Sequence, residues 1–251
     1  MVRAVAYFWM LLFLTLPVSA QYAEPIFTRT AVPNPAGTVS LKMDFVTPIA
    51  QDTGVQAQAL PVTRLEIGLG RKFETIFQIP VLRLSQPNGS SVLGVGQFSV
   101  ALQYLLAGSP DGKFAVAVAG RLEVPSGDSA IVGNNTQLMP AVLTEWRAAR
   151  RVIVRSNIAW NTVVAGTTPP FANFEQSHSV AWLMSRHFTP VFEFVGSTNT
   201  RNGNTQLVVQ PEIIFTYTRL LELKAGISSQ FYPEPHYDLR MQMAWFFGKR
   251  Q

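Results

Sequence analysis

The chain contains no cysteine, so disulfides play no part in holding it together and a stapled secreted scaffold is excluded. Charge is scarce as well. Asp, Glu, Lys and Arg make up 14% of the residues, against about 25% in ordinary soluble domains. The hydrophobic share of 47% is ordinary, so neutral polar residues stand where charges would normally be. Beyond position 20 no apolar run approaches the roughly 20 residues that a membrane-crossing helix needs. The net charge of +5 is dispersed, with no run of bases beyond a pair such as Arg150-Arg151. A nucleic-acid-binding patch would cluster its bases, so no nucleic-acid partner is expected.

What is present begins with a leader. Residues 1–20, MVRAVAYFWMLLFLTLPVSA, place one base (Arg3) before an apolar stretch from Phe8 to Leu16, then Pro17 and the small-residue site Val18-Ser19-Ala20. That is the layout of a cleaved secretory signal peptide. Position 21 is Gln, so no lipid anchor is indicated. Residues 21–37 are rich in proline and too short for a domain; they are expected either to plug a lumen or to remain as a periplasmic segment. The region 38–247 is left for one domain, and 248–251 form a tail.

Read with period two, 38–247 resolves into about twelve strands. They are expected near 38–46, 62–70, 72–82, 95–106, 113–124, 137–148, 151–163, 176–186, 188–196, 206–217, 220–230 and 237–247. Their charges all fall on one face. Lys42 and Asp44 oppose Leu41, Met43 and Phe45, and Glu222 and Lys224 oppose Leu221 and Leu223. A soluble sandwich alternates too, but its wet face carries more Lys and Glu. Large apolar residues on one face and small or mixed-sign polar residues on the other fit lipid outside and a filled polar interior.

The connections alternate in length. Short ones fall at Leu69-Gly70-Arg71, Ala107–Gly112, Arg147–Arg150, Arg186-His187 and Thr218-Arg219, with longer ones between them. Aromatic residues gather at the strand ends: Phe73, Tyr104, Phe114, Trp146, Phe188, Tyr217 and Trp245 toward the short turns, Trp160 and Tyr237 toward the long loops. Two aromatic girdles, short periplasmic turns and longer extracellular loops describe a single antiparallel transmembrane β-barrel, an all-β fold. Only a closed sheet satisfies every backbone group in lipid.

Few side chains in such a barrel could carry chemistry. Outer-membrane phospholipases place a Ser–His pair on the barrel exterior, which draws attention to His178 and Ser179. Adjacent strand residues point to opposite faces, so these two do not form that pair. His187 and His236 have no partner at metal-ligand spacing, and no metal or organic cofactor is expected. Glu66 and Glu74, on neighbouring strands, would suit an acid protease, yet Arg64, Arg121, Arg147 and Arg155 interleave with the acids as in a lumen network. The glycine pairs Gly68/Gly70 and Gly94/Gly96 lack the following helix of a phosphate loop. The lumen lining is expected to comprise Lys42, Asp44, Arg64, Glu66, Glu74, Arg121, Glu123, Glu145, Arg155, Glu193, Glu212 and Arg240, which tune selectivity electrostatically.

The fifth strand ends as Leu122-Glu-Val-Pro-Ser-Gly-Asp128, and Val132 to Leu138 follow. This stretch resembles the "glxlPTGD" strand end of a family of outer-membrane transporters of the meta-pathway of phenol degradation, related to fatty-acid and aromatic-hydrocarbon channels. Ser126 stands where that family more often has Thr, and the likeness covers about twenty residues. The resemblance marks Pro125, Ser126, Gly127 and Asp128 as a structural signature. It implies passive transport of small hydrophobic or aromatic solutes across the outer membrane of a Gram-negative-type bacterium. The alternatives are a barrel hydrolase and a structural barrel without transport. Partners are then outer-membrane lipids, the solute, and the barrel-assembly machinery; the last strand ends on Trp245-Phe246-Phe247, with four residues added after the aromatic terminus that machinery usually meets.

Overall fold

The computed structural model describes residues 28–49, 56–85, 89–109, 112–128, 131, 134–166, 172–200, 202–232 and 235–248. The leader and residues 21–27 and 249–251 lie outside them. The strands are β1 (Val39–Pro48), β2 (Gln56–Gly68), β3 (Phe73–Ser85), β4 (Ser91–Val95), β5 (Phe98–Gly108), β6 (Phe114–Val124) and β7 (Thr136–Ala149). They continue as β8 (Val152–Ala165), β9 (Ala172–Trp182), β10 (Phe188–Asn199), β11 (Thr205–Thr218), β12 (Leu221–Tyr232) and β13 (His236–Phe247). Each pairs antiparallel with its neighbour, β1 pairs with β13 from Val39↔Phe247 to Pro48↔Asp238, and β2 pairs with β3, so the sheet closes. β4 and β5 share one place in the circle, which makes this a twelve-strand barrel.

Period-two alternation dictates which way each side chain points. On β7, Leu138, Val142 and Trp146 are exposed on the outside, while Leu143 and Glu145 are buried inside. On β12, Leu223 and Ile227 face out while Glu222, Lys224 and Ser228 are buried. Among the described strands the outward face carries one charge, Arg83, in the part of β3 that continues toward the long loops. A barrel reverses the usual burial rule: its exposed surface is apolar because its solvent is hydrocarbon.

The interior departs from the expected polar filling. At the short-turn end it holds two apolar clusters, Ile153, Ala181, Leu183, Val191 and Ile214 on one side, and Leu105, Ala115, Ala117 and Leu143 with Ala31 and Val32 on the other. Small and branched side chains pack the narrow interior there as they would a protein core.

Several strand limits also differ from the sequence expectation. The expected strand 95–106 is broken at Gly96-Gln97 into β4 and β5. Pro125 cannot donate, so the β5–β6 ladder stops at Phe98↔Val124. Gly96 N–H turns instead to Pro80 O (2.8 Å), and β4 pairs with β3 from Val81↔Val95 to Ser85↔Ser91. β2 begins at Gln56 rather than near 62, carried through a bulge between Ala59 and Val62 that absorbs Pro61. β9 covers 172–182 rather than 176–186. Ser185 Oγ accepts from His187 N (3.2 Å) and Phe188 N (3.0 Å), which folds Leu183–His187 into a turn despite its alternating pattern.

Candidate functional site: the barrel lumen

Residues 28–36 lie inside the barrel and cross it. The chain leaves β1 at the short-turn rim, where Gly37 N donates to Gly68 O (3.0 Å) and Gly68 N to Thr38 O (2.9 Å). A Cβ at Gly68 would lie 2.1 Å from Pro35 O, so only glycine lets the segment pass this close to β2. Asn34 Nδ2 then donates to Glu66 Oε2 (3.2 Å) on β2 and to Glu74 Oε1 on β3. Thr30 Oγ1 donates to Glu145 Oε2 (2.7 Å) on β7, and Gln103 Nε2 on β5 donates to Thr30 O (3.0 Å). Arg29 donates to Gln103 Oε1 (2.9 Å), and Thr28 N donates to Glu193 Oε1 (2.7 Å) on β10. β3 and β10 lie on opposite sides of the twelve-strand circle, so the segment runs along a diameter.

Most of these anchors are the residues read from sequence as lumen lining. Lys42, Asp44, Glu66, Glu74, Glu145, Arg155, Glu193 and Glu212 are buried on the inner face; Arg64, Arg121, Glu123 and Arg240 are there too, half-buried. They pair by sign. Lys42 Nζ lies 2.8 Å from Glu66, Arg64 lies 3.0 Å from Asp44, and Arg155 Nε lies 2.9 Å from Glu145. Arg121 pairs with Glu123 (2.9 Å), Arg240 with Asp238 (3.4 Å), and Gln210 donates to Glu193 and Glu212. Gln242 Nε2 also donates to Asp44. Glu66 therefore sits in a network with Lys42, Arg64, Ser40 and Asn34, and Asn34 Nδ2 bridges it to Glu74.

Above the crossing segment, toward the long loops, lies a cavity of about 260 Å³. Arg29, Arg64, Arg121 and Arg240 line it with Asp44 and Glu175, and Val46, Val62, Ile76 and Ala101 supply apolar wall. Sequence reasoning missed Arg29, Gln103 and Glu175. Glu175 fell one residue outside the expected strand 176–186, and Arg29 lies in the segment before the first strand. An inward-facing acid on β9 was legible had that strand been started at Ala172.

The remaining candidates are placed as follows. Ser179 is buried on the inner face, while the His178 ring is on the outer face, 6.3 Å from the ring of Phe194. They point apart. His187 accepts from Arg186 Nε (2.9 Å) and its Nδ1 lies 2.7 Å from Thr216 O, and His236 pairs with Asp238 (2.7 Å). Among the described residues no three His, Asp or Glu side chains come together as metal ligands. Outside, Phe73, Phe114, Trp146, Trp160, Tyr217 and Tyr237 are exposed, and Tyr104, Phe188 and Trp245 are half-buried. Pro125 to Asp128 secure the break between β4 and β5: Ser126 Oγ accepts from Phe98 N (3.1 Å), Asp128 Oδ2 from Val95 N (2.8 Å), and Asp128 N donates to Val95 O (2.8 Å).

This is the fold of outer-membrane channels. The COG4313 outer-membrane channel from Pseudomonas putida F1 superposes with a TM-score of 0.63 at 10% identity, covering 92% of this chain and 100% of that one. The NanC porin gives 0.59 at 11% identity over 82% and 98% of the two chains. The KdgM porin gives 0.58 at 10% identity over 83% and 99%. No protein-family model matches the sequence, and no curated protein is similar to it by sequence.

Proposed function

We propose that this chain is a channel for passive passage of small hydrophobic or aromatic solutes across the outer membrane of a Gram-negative-type bacterium, reached after cleavage of the leader 1–20. The observation that carries the proposal is the 260 Å³ cavity below the long loops, floored by the crossing segment. Guanidinium planes of Arg29, Arg64, Arg121 and Arg240 beside an apolar wall suit a flat ring, through stacking and cation–π attraction. The likeness of Leu122–Asp128 to the phenol meta-pathway transporters supports aromatic solutes, and the likeness of the fold to porins supports passage rather than catalysis. Residues 28–36 act in this reading as the plug that sets the resting conductance, and the charged lining tunes which solutes pass.

The test is flux. Purified barrel in liposomes is expected to admit a small phenol or benzoate faster than an uncharged disaccharide, and removal of residues 21–36 is expected to raise both rates. Absence of conductance and of flux in both forms would leave a structural barrel. Hydrolysis of phospholipid or peptide that is lost in His178→Ala would replace the channel reading with an enzymatic one.

A further inference from the structure

The short turns carry a ring of positive charge that the channel reading does not use. Arg71 and Lys72 lie between β2 and β3, Lys113 between β5 and β6, Arg150 between β7 and β8, Arg186 between β9 and β10, and Arg219 between β11 and β12. All six are exposed. No described residue of these turns is acidic; the sequence adds one acid, Asp111, in the turn before Lys113. The opposite end is different. In the sequence its connections hold Asp52, Asp128 and Glu234 against Arg201. A chain with so few charges has thus put bases at one rim, in every short turn, and left the other slightly acidic.

Depth decides what the ring faces. Lys72 directly precedes the exposed Phe73, Lys113 precedes the exposed Phe114, and Arg219 follows two residues after Tyr217. Lys72 Nζ lies 5.9 Å from the centre of the Tyr104 ring. Aromatic side chains of such girdles sit at headgroup level, and a long basic side chain beside them extends its charge to the phosphates just beyond. A docked protein would call for one dense patch. Bases in all five short turns, spread around the barrel except where β1 meets β13, match a partner that itself surrounds the barrel.

We propose that the short-turn rim is a binding site for anionic phospholipid headgroups of the leaflet on that side, taken up as an annulus around the barrel. The rim selects lipid by phosphate charge, through long-range attraction and charge-assisted hydrogen bonds. It also biases the orientation of the barrel, since the long-loop rim has only Arg83 and Arg201 against Asp52, Asp128 and Glu234.

The experiment is native mass spectrometry of the detergent-solubilised full chain, titrated with phosphatidylglycerol and phosphatidylcholine of identical acyl chains. The wild type is expected to retain phosphatidylglycerol over phosphatidylcholine, by about fivefold for each engaged base, with the preference shrinking at high salt. Replacement of Arg150, Arg186 and Arg219 by Gln is expected to reduce that preference at least fivefold, while the Lys replacements and Arg83→Gln at the other rim retain it. Heat-modifiable migration on a gel confirms that each variant is folded. Equal retention of the two lipids by the wild type overturns the proposal, as does a preference that the three Gln substitutions leave undiminished. Capture of polyaspartate without any phosphatidylglycerol preference also overturns it and would point to an acidic macromolecule instead.

Discussion

Arg155 and Glu145 face each other across β7 and β8, Nε to Oε2 at 2.9 Å, both almost fully buried, and the same Oε2 accepts from Thr30 Oγ1 at 2.7 Å. One carboxylate oxygen therefore joins the barrel wall to the segment crossing it. Arg155→Ala leaves Glu145 buried with its main counter-charge removed, and about 3 kcal/mol of stability is expected to be lost. The unfolding midpoint in micelles, read by heat-modifiable gel migration, measures it. Thr30→Val is expected to cost about 1 kcal/mol, and the double variant less than the sum, because both substitutions empty one site. Strict additivity would mean that the segment and the wall are not coupled through Glu145.

The crossing segment is tied to β2, β3, β5, β7 and β10 by polar contacts, with Ala31 and Val32 as its apolar contribution to the interior. The barrel's own ladder closes without it through β1 and β13. A chain lacking residues 21–36 is therefore expected to fold and to show a single-channel conductance several times that of the full chain. Asn34→Ala combined with Thr30→Val is expected to produce intermittent openings of the larger size in planar bilayers. Unchanged conductance in the truncated chain would show that the passage is limited elsewhere.

The barrel was legible in the sequence because its two solvents differ so sharply. Phe77, Val118 and Phe192 on the outer face and Glu74, Arg121 and Glu193 on the inner face follow strict alternation, and closure follows from the need to satisfy backbone groups in lipid. Alternation does not report where a strand stops. Met184-Ser185-Arg186 keeps the pattern while Ser185 Oγ folds the backbone out of the ladder. Likewise Gly96-Gln97 looks continuous until Pro125, just past the end of the neighbouring strand, withholds its donor. The path of residues 28–36 was the least legible part, since its anchors are single side chains from strands distant in sequence, such as Glu193 for Thr28.

At the β4–β5 break, a Cβ on Gly127 would lie 2.2 Å from Val95 O and 2.4 Å from Gly96 O. Gly127→Ala must push the loop off the break and lose the bonds that Ser126 and Asp128 make there. Destabilisation of about 2 kcal/mol is expected, with faster protease cleavage between β6 and β7 in the folded barrel. Asp128→Ala removes the acceptor for Val95 N and is expected to cost about 1 kcal/mol. Conductance unchanged in both would confine the signature to a structural role.

Arg121 lines the cavity and pairs with Glu123, their side chains 33% and 20% exposed. Arg121→Glu reverses one charge in the cavity lining and places two carboxylates side by side. The reversal potential under a salt gradient is expected to move toward cation preference. Glu175→Gln, on β9 three strands further round the wall, is expected to move it the other way. Identical reversal potentials in all three proteins would place ion passage outside this cavity.

Depth in the membrane can be read from one strand. Val142 lies midway along β7 and Leu138 near its long-loop end, both outward and exposed. If the outer face meets hydrocarbon, Val142→Arg places a guanidinium at the bilayer midplane and is expected to cost about 2–4 kcal/mol, whereas Leu138→Arg, near the interface, costs about 0–1 kcal/mol. The two substitutions change the same face of the same strand by similar volumes, so their difference isolates depth from packing. Refolding into lipid vesicles under a denaturant gradient measures both. Equal costs would mean that β7 does not span the bilayer with Val142 at its centre, and the register of the membrane along every other strand would shift with it.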